Sequence, residues 1–97
     1  MSYTLIPSDE ATADILEGID WYNEQKTGLG RLFYEILWQS FELIEQMPFA
    51  YAVRYKNLRA CPLKKFPFLV YYFVDKDTKV VTVVAVLHTK RDWKNRL

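Results

Sequence analysis

The sequence predicts an α+β fold. Three observations point there. Residues 9–47 carry two apolar stripes at helical spacing, the apolar period shortens to two from Ala50 onward, and Pro48 stands between the two regimes. The predicted order is β-α-α-β-β-β, a helical hairpin packed on one face of a small antiparallel sheet. At 97 residues the chain is one domain, residues 1–97, without room for a second core.

Each element has a local reason. "SYTLI" alternates as a short strand, and Pro7 ends it because proline cannot donate to a ladder. Ser8 is a helix N-cap, followed by Asp9 and Glu10 in the first turn, where the dipole favours negative charge. The first helix is predicted from about Asp9 to Lys26, with Ala11, Ile15, Ile19 and Tyr22 on one stripe. Gly18 weakens it slightly and admits a close neighbour. "TGLG" is a break. The second helix runs roughly from Leu29 to Met47, with Leu29, Phe33, Ile36, Leu37, Ser40, Ile44 and Met47 as its stripe. The short glycine turn makes the two helices antiparallel.

"AVRY" and "LRACPLKKF" read as strands, the second placed at an edge or a bulge by Pro62. "FLVYYFVD" is dense in β-branched and aromatic residues, and "DKDTK" is a hairpin turn. "VVTVVAVLH" is apolar on both faces, so it belongs inside the sheet under the helices. The polar tail "KRDWKNRL" is a candidate short terminal helix.

Composition excludes several classes. About half the residues are apolar and a quarter charged, as in ordinary soluble domains. No stretch is apolar enough to cross a bilayer, and the N-terminus lacks a signal-peptide pattern. No membrane role and a cytoplasmic location are therefore expected. Cys61 and His88 are the sole cysteine and histidine, which argues against a disulfide or a structural zinc site; no metal or cofactor is expected. The net charge of +1 conceals an asymmetry: residues 1–50 carry two bases against nine acids, and residues 51–97 eleven bases against three acids. Two faces of opposite sign are one reading; solvation of ordinary helices and strands is the other.

Three segments in order, "ATADILEGIDWYNEQKTGLG", "FPFLVYYFVD" and "VVAVLHTKRDW", resemble the RelE/ParE superfamily of bacterial toxins, the plasmid-stabilisation type found in type II toxin–antitoxin pairs. The resemblance spans nearly the whole chain and implies the fold already read from periodicity. It also implies a cognate antitoxin as partner, and either of two targets. The RelE-like branch cleaves messenger RNA on the ribosome; the ParE-like branch poisons DNA gyrase. "HTKRDW" looks more ParE-like, and a nearly neutral chain is unlike a ribosome binder, whose affinity comes from phosphate contacts. The expected function is therefore a ParE-like toxin inhibiting gyrase, with a ribosome-dependent endoribonuclease or a non-toxic, antitoxin-binding remnant as alternatives.

The resemblance also supplies candidate residues. Cleavage needs a base for the ribose 2′-OH, cations for the phosphorane and an acid for the leaving oxygen. In a RelE-like chain His88, Arg91 and Arg59 would be catalytic, on the target-facing side of the sheet. An unperturbed imidazole changes charge near neutrality, and His88 has Asp92 four positions on to orient it; a strand-end histidine satisfying a backbone carbonyl is the competing reading. Arg54, Lys56, Lys64, Lys65, Arg91 and Trp93 are candidate target contacts. Trp21, Tyr34, Trp38 and Tyr72 are candidate antitoxin contacts, because aromatic anchors are favoured at interface centres. They could equally finish covering the core. The antitoxin segment is expected to be disordered alone, and acidic where it crosses the basic side.

Overall fold

Ser8 starts the first helix as its residue type dictates: its Oγ accepts from the Ala11 N–H at 3.1 Å. The computed structural model describes residues 3–91 and 93–97, Trp93 in its backbone only. The chain runs β1 (Thr4–Pro7), α1 (Asp9–Gln25), α2 (Leu29–Gln46), β2 (Val53–Tyr55), β3 (Leu58–Pro62), β4 (Phe68–Asp75) and β5 (Val80–His88), then one 3-10 turn (Trp93–Asn95). Among the described residues the strands form a single sheet in the order β1-β5-β4-β3-β2. The α+β architecture expected from the sequence is present. The strand run after the hairpin gains a member because "AVRY" and "LRACP" each pair. The sheet is antiparallel except at one place, where β1 lies parallel to β5.

The helical hairpin closes tightly for two reasons. Gly28 takes φ +90°, a left-handed conformation that glycine adopts without strain. Gly30 then lets α2 approach α1, and its N–H donates to Asn23 Oδ1 at 2.9 Å. At Gly18 the Phe33 ring comes as near as backbone permits: a Cβ there would sit 2.8 Å from Phe33 Cε2. Tyr22, Phe33, Phe66 and Phe68 pack around that contact, with ring centroids 4.8 to 6.0 Å apart. Such aromatic pairs stabilise by about 0.5–1.5 kcal/mol each beyond area burial. The α2 stripe holds except at its end. Met47 is 63% exposed and Phe41 is buried instead, because the chain leaves the helix at Met47.

A bulge in β5 decides which way its end points. Tyr71 faces Ala85 and Tyr72 faces Val83, so Val84 has no partner on β4. Val81, Val83 and Val86 join the helix-side core, while Ala85 and Leu87 pack with Tyr71 on the opposite face. Strict alternation from Val83 would put Val86 and His88 on that opposite face. The extra residue returns both to the helix side. The bulge begins where β1 stops pairing, at Pro7↔Val83.

The far face of the sheet is not the open cationic surface that the charge asymmetry suggests. Its centre is apolar: Tyr71, Ala85 and Leu87 are buried there with Ala60, Leu69, Val84 and Leu97 against them. The C-terminal residue therefore covers part of this face. The tail's arginines turn back to α1, where Arg96 meets Asp14 and Arg91 meets Glu17. Part of the opposition between acidic and basic halves is spent inside the molecule. Pro62 ends β3 beyond the reach of three-residue β2, so its nitrogen faces no strand that would need an N–H.

Candidate functional site

A cleft of about 370 Å³ opens between α1 and the end of β5. This lies within the range of ligand-sized pockets. Gly18, Tyr22, Phe68 and Val86 form its apolar wall, Trp21 stands at one rim, and His88 and Arg91 stand at the other. Trp21 is 55% exposed and leans edge-on against Tyr22 at 5.0 Å. The bulge turns Val86 and His88 toward α1, where they line the cleft with Gly18.

The His88 ring is fixed from two sides. It stands edge-on to Phe68, with centroids 5.4 Å apart and planes at 73°. Its Nδ1 accepts the Lys90 N–H at 3.1 Å, within a turn closed by Arg91 N–H donating to the His88 carbonyl at 2.9 Å. An imidazole nitrogen that accepts carries no proton, so the neutral ring holds its proton on Nε2. The sequence leads one to expect a strand-end histidine satisfying a backbone carbonyl; here it accepts a backbone N–H instead. Asp92, the expected orienting carboxylate, lies outside the described residues.

Arg91 is held at the rim by Glu17, with Nη1 and Oε1 3.3 Å apart. Both groups are well exposed, so the pair is worth about 0–1 kcal/mol. Asp14 lies deeper, 7% exposed. Its Oδ2 accepts the Val86 N–H at 3.0 Å, and both its oxygens meet Arg96, at 2.7 and 3.0 Å. That carboxylate draws the Arg96 pKa above its usual range. Sequence reading did not single out Asp14 or Arg96. A charged residue three positions after Ala11 and one before Ile15, on the buried side of an amphipathic helix, is the signal that marks Asp14.

The candidate residues separate into groups. Lys64 and Lys65 sit in the β3–β4 loop, at the same end of the sheet as His88 and Arg91, because Thr89 N–H donates to the Pro67 carbonyl at 2.8 Å. Arg54 and Lys56 lie toward the other end of β3, with Arg54 beside the Tyr71 hydroxyl and Lys56 Nζ 5.1 Å from the Tyr55 ring centroid. Arg59 does not join His88. It faces the helix side, donates to the carbonyls of Tyr51 at 2.7 Å and Phe49 at 3.5 Å, and stacks on Phe49. By register it is offset from His88 by four residues and two strands, roughly 13 Å along the sheet and 10 Å across. The expectation that these residues share the target-facing side of the sheet is corrected accordingly: His88 and Arg59 both point to the helix side. The Trp93 side chain lies outside the described residues.

Tyr72 also needs correction as an antitoxin contact. It is 0% exposed, and its hydroxyl donates to the Pro48 carbonyl at 2.7 Å. Tyr71, its neighbour, faces away from the helices. Trp21, Tyr34 and Trp38 do reach the surface, at 55%, 47% and 55% exposure. No cluster of three or more His, Cys, Asp or Glu side chains suited to a metal ion occurs among the described residues, and no helix there is long and apolar enough to cross a membrane.

Two helices packed on a five-stranded, mostly antiparallel sheet match the fold of ParE and RelE toxins. A family model described as the ParE toxin of the type II toxin-antitoxin system, parDE, matches residues 5–93. The chain belongs to that family. Among solved structures it is similar to the chromosomal ParDE toxin–antitoxin system from P. aeruginosa, with TM-score 0.79 and 15% identity over 91% of this chain and 97% of that one. It is also similar to the intact E. coli RelBE toxin-antitoxin complex, with TM-score 0.69 and 20% identity over 92% and 99%. At such identities these likenesses speak for the fold alone. None of the curated protein sequences matches the chain.

Proposed function

We propose that this chain is the toxin of a type II toxin–antitoxin module, that it acts by protein contact on DNA gyrase in the ParE manner, and that a cognate antitoxin neutralises it. The observation that favours protein contact over RNA cleavage is the hydrogen bond at His88. Its Nδ1 accepts the Lys90 N–H at 3.1 Å, which speaks against His88 as the base for 2′-OH attack. Arg59 is turned to backbone carbonyls and stands too far away to share a phosphate with it. The remaining cations at the cleft end, Lys64, Lys65 and Arg91, suit contact with an acidic protein surface or a phosphate backbone. The near-neutral total charge favours the protein.

Controlled induction of the chain in cells, beside a His88→Ala variant, tests this reading. Filamentation with a DNA-damage response is expected, and His88→Ala should retain it. Translational arrest within minutes, abolished in His88→Ala, would replace this reading with the RelE-like endoribonuclease. Normal growth under full expression would leave a binding module without toxicity.

A further inference from the structure

The end of the sheet farthest from the cleft carries a second group of cations, set on aromatic rings. Phe49, in the turn after α2, is 43% exposed and meets Tyr3 edge-on, with centroids 5.9 Å apart and planes at 85°. Arg59 Cζ and Lys76 Nζ stand over the Phe49 ring, 5.2 and 5.3 Å from its centroid, and Lys79 Nζ stands over Tyr3 at 5.2 Å. Thr4 N–H donates to the Lys79 carbonyl at 3.0 Å, so the start of β1 joins this group to the β4–β5 turn. The length of β5, roughly 27 Å, separates it from His88.

These cations are placed but not neutralised. Ion pairs among the described residues involve Arg31, Arg91 and Arg96, and none involves Arg59, Lys76 or Lys79. The nearby acids point elsewhere. Asp75 follows Val74, which packs on the helix-side core, so it lies on the opposite face, and its Oδ1 accepts the Asp77 and Thr78 N–H groups. Glu45 Oε2 accepts the Leu5 N–H. Only Asp77, at the tip of the turn, stands against the three cations. Arg59 is held by one nitrogen: Nη1 reaches the carbonyls of Tyr51 and Phe49, and among the described residues Nε and Nη2 donate to nothing. A guanidinium fixed in this way meets a carboxylate with little further ordering.

Two kinds of anion suit such a group, the phosphates of a nucleic acid and the carboxylates of a protein. The rings favour the second. Single strands bind by stacking bases on open aromatic faces. Here cations already stand over both rings, and the rings are nearly perpendicular, so they offer a base no shared platform. The near-neutral chain also lacks the charge that phosphate backbones reward.

We propose that Arg59, Lys76 and Lys79, set on Phe49 and Tyr3, receive an acidic segment of the protein that this chain blocks. The inference rests on the reading that the chain acts by protein contact. It adds a second contact, at the end of the sheet opposite the cleft, and the chemistry of what docks there.

The probes are a synthetic peptide of alternating glutamate and glycine and an oligothymidylate of equal charge. Each is titrated into the full chain while backbone amide shifts are followed by NMR. The peptide is expected to move amides at residues 47–51 and 75–79, and to bind at least about fivefold tighter than the oligonucleotide. Lys76→Glu should weaken the peptide about tenfold and Lys79→Asn about threefold. Lys26→Glu makes the same change of net charge as Lys76→Glu at the far end of α2, and should alter binding by less than about twofold. Lys76 is exposed, and asparagine accepts the φ of 61° at position 79, so both variants should keep the wild-type melting temperature. In a gyrase supercoiling assay, Lys76→Glu should need about tenfold more chain for the same inhibition, and Lys26→Glu no more than wild type. Oligonucleotide binding as tight as the peptide's, shifts centred elsewhere, equal losses from Lys26→Glu and Lys76→Glu, self-association through these residues, or a loss confined to antitoxin binding would overturn the proposal. A chain that spares gyrase yet binds the peptide here loses the gyrase reading and keeps this surface. One that blocks gyrase equally well in both variants keeps that reading and loses this surface.

Discussion

Asp14 on α1 and Arg96 near the C-terminus are joined by two hydrogen bonds, of 2.7 and 3.0 Å, across 82 positions of sequence. The same carboxylate holds the Val86 N–H on β5, just past the bulge. One side chain therefore ties helix, strand and tail at the floor of the cleft. Asp14→Ala removes all three bonds and leaves a partly buried guanidinium and an orphan N–H. A loss of about 3 kcal/mol is expected, near the low end for a broken buried pair because Arg96 keeps some exposure. Asp14→Asn preserves an acceptor for Val86 and should lose about 1–2 kcal/mol. Urea denaturation of the two variants measures both; a loss below about 0.5 kcal/mol for Asp14→Ala would contradict this role.

The two tight glycines of the hairpin should rank in order. A Cβ on Gly30 would lie 2.4 Å from the Ile19 carbonyl oxygen, which belongs to a helix backbone and cannot yield cheaply. On Gly18 it would meet the Phe33 ring at 2.8 Å. A ring can tilt, and alanine regains about 1 kcal/mol of helix propensity. Gly30→Ala should destabilise by about 2–3 kcal/mol, and Gly18→Ala by about 1 kcal/mol or less. Thermal melts of both variants test the ranking.

Alkaline pH should unfold the protein through its buried tyrosines. Burial, reinforced by Cys61 and opposed by Arg59, pushes the Tyr72 hydroxyl up to about 12. An unfolded tyrosine titrates near 10. The folded value is the higher one, so the Tyr72 contribution is complete below about pH 10 and disappears as pH rises through 12. Tyr22, Tyr51 and Tyr71 shift in the same direction. Denaturation midpoints should therefore fall steeply between pH 10 and 12, together with the appearance of phenolate absorbance. Tyr72→Phe should lose about 1 kcal/mol at neutral pH with its bond to Pro48, and should show a shallower alkaline decline.

Much of the fold could be read from the sequence because it rests on local chemistry. Pro7, the Ser8 cap, the glycine turn at 28–30 and the Asp75 turn, whose carboxylate accepts from Asp77 and Thr78, act within a few residues. The interior place of β5 followed from its being apolar on both faces. The bulge at Val84 could not be read this way. It depends on β1 ending opposite Val83 and on Asp14 meeting Val86, contacts that run across the whole chain. Missing it put His88 on the wrong face. The charge asymmetry misled for a related reason: Arg91 and Arg96 cross back to acids on α1, which no count of charges along the chain can reveal. From sequence Tyr72 reads as a surface aromatic, because alternation tells which residues oppose one another, not which face is covered.

With the His88 Nδ1 accepting the Lys90 N–H and Arg59 turned away from it, the chain is proposed to block gyrase by contact rather than to cut RNA. Purified gyrase, relaxed plasmid and ATP, with the chain added at increasing concentration, test that most directly. Loss of supercoiling with accumulated cleaved DNA is predicted, equally for wild type and His88→Ala, and reversed by the antitoxin. Undisturbed gyrase, together with His88-dependent cutting of messenger RNA on ribosomes, would contradict it.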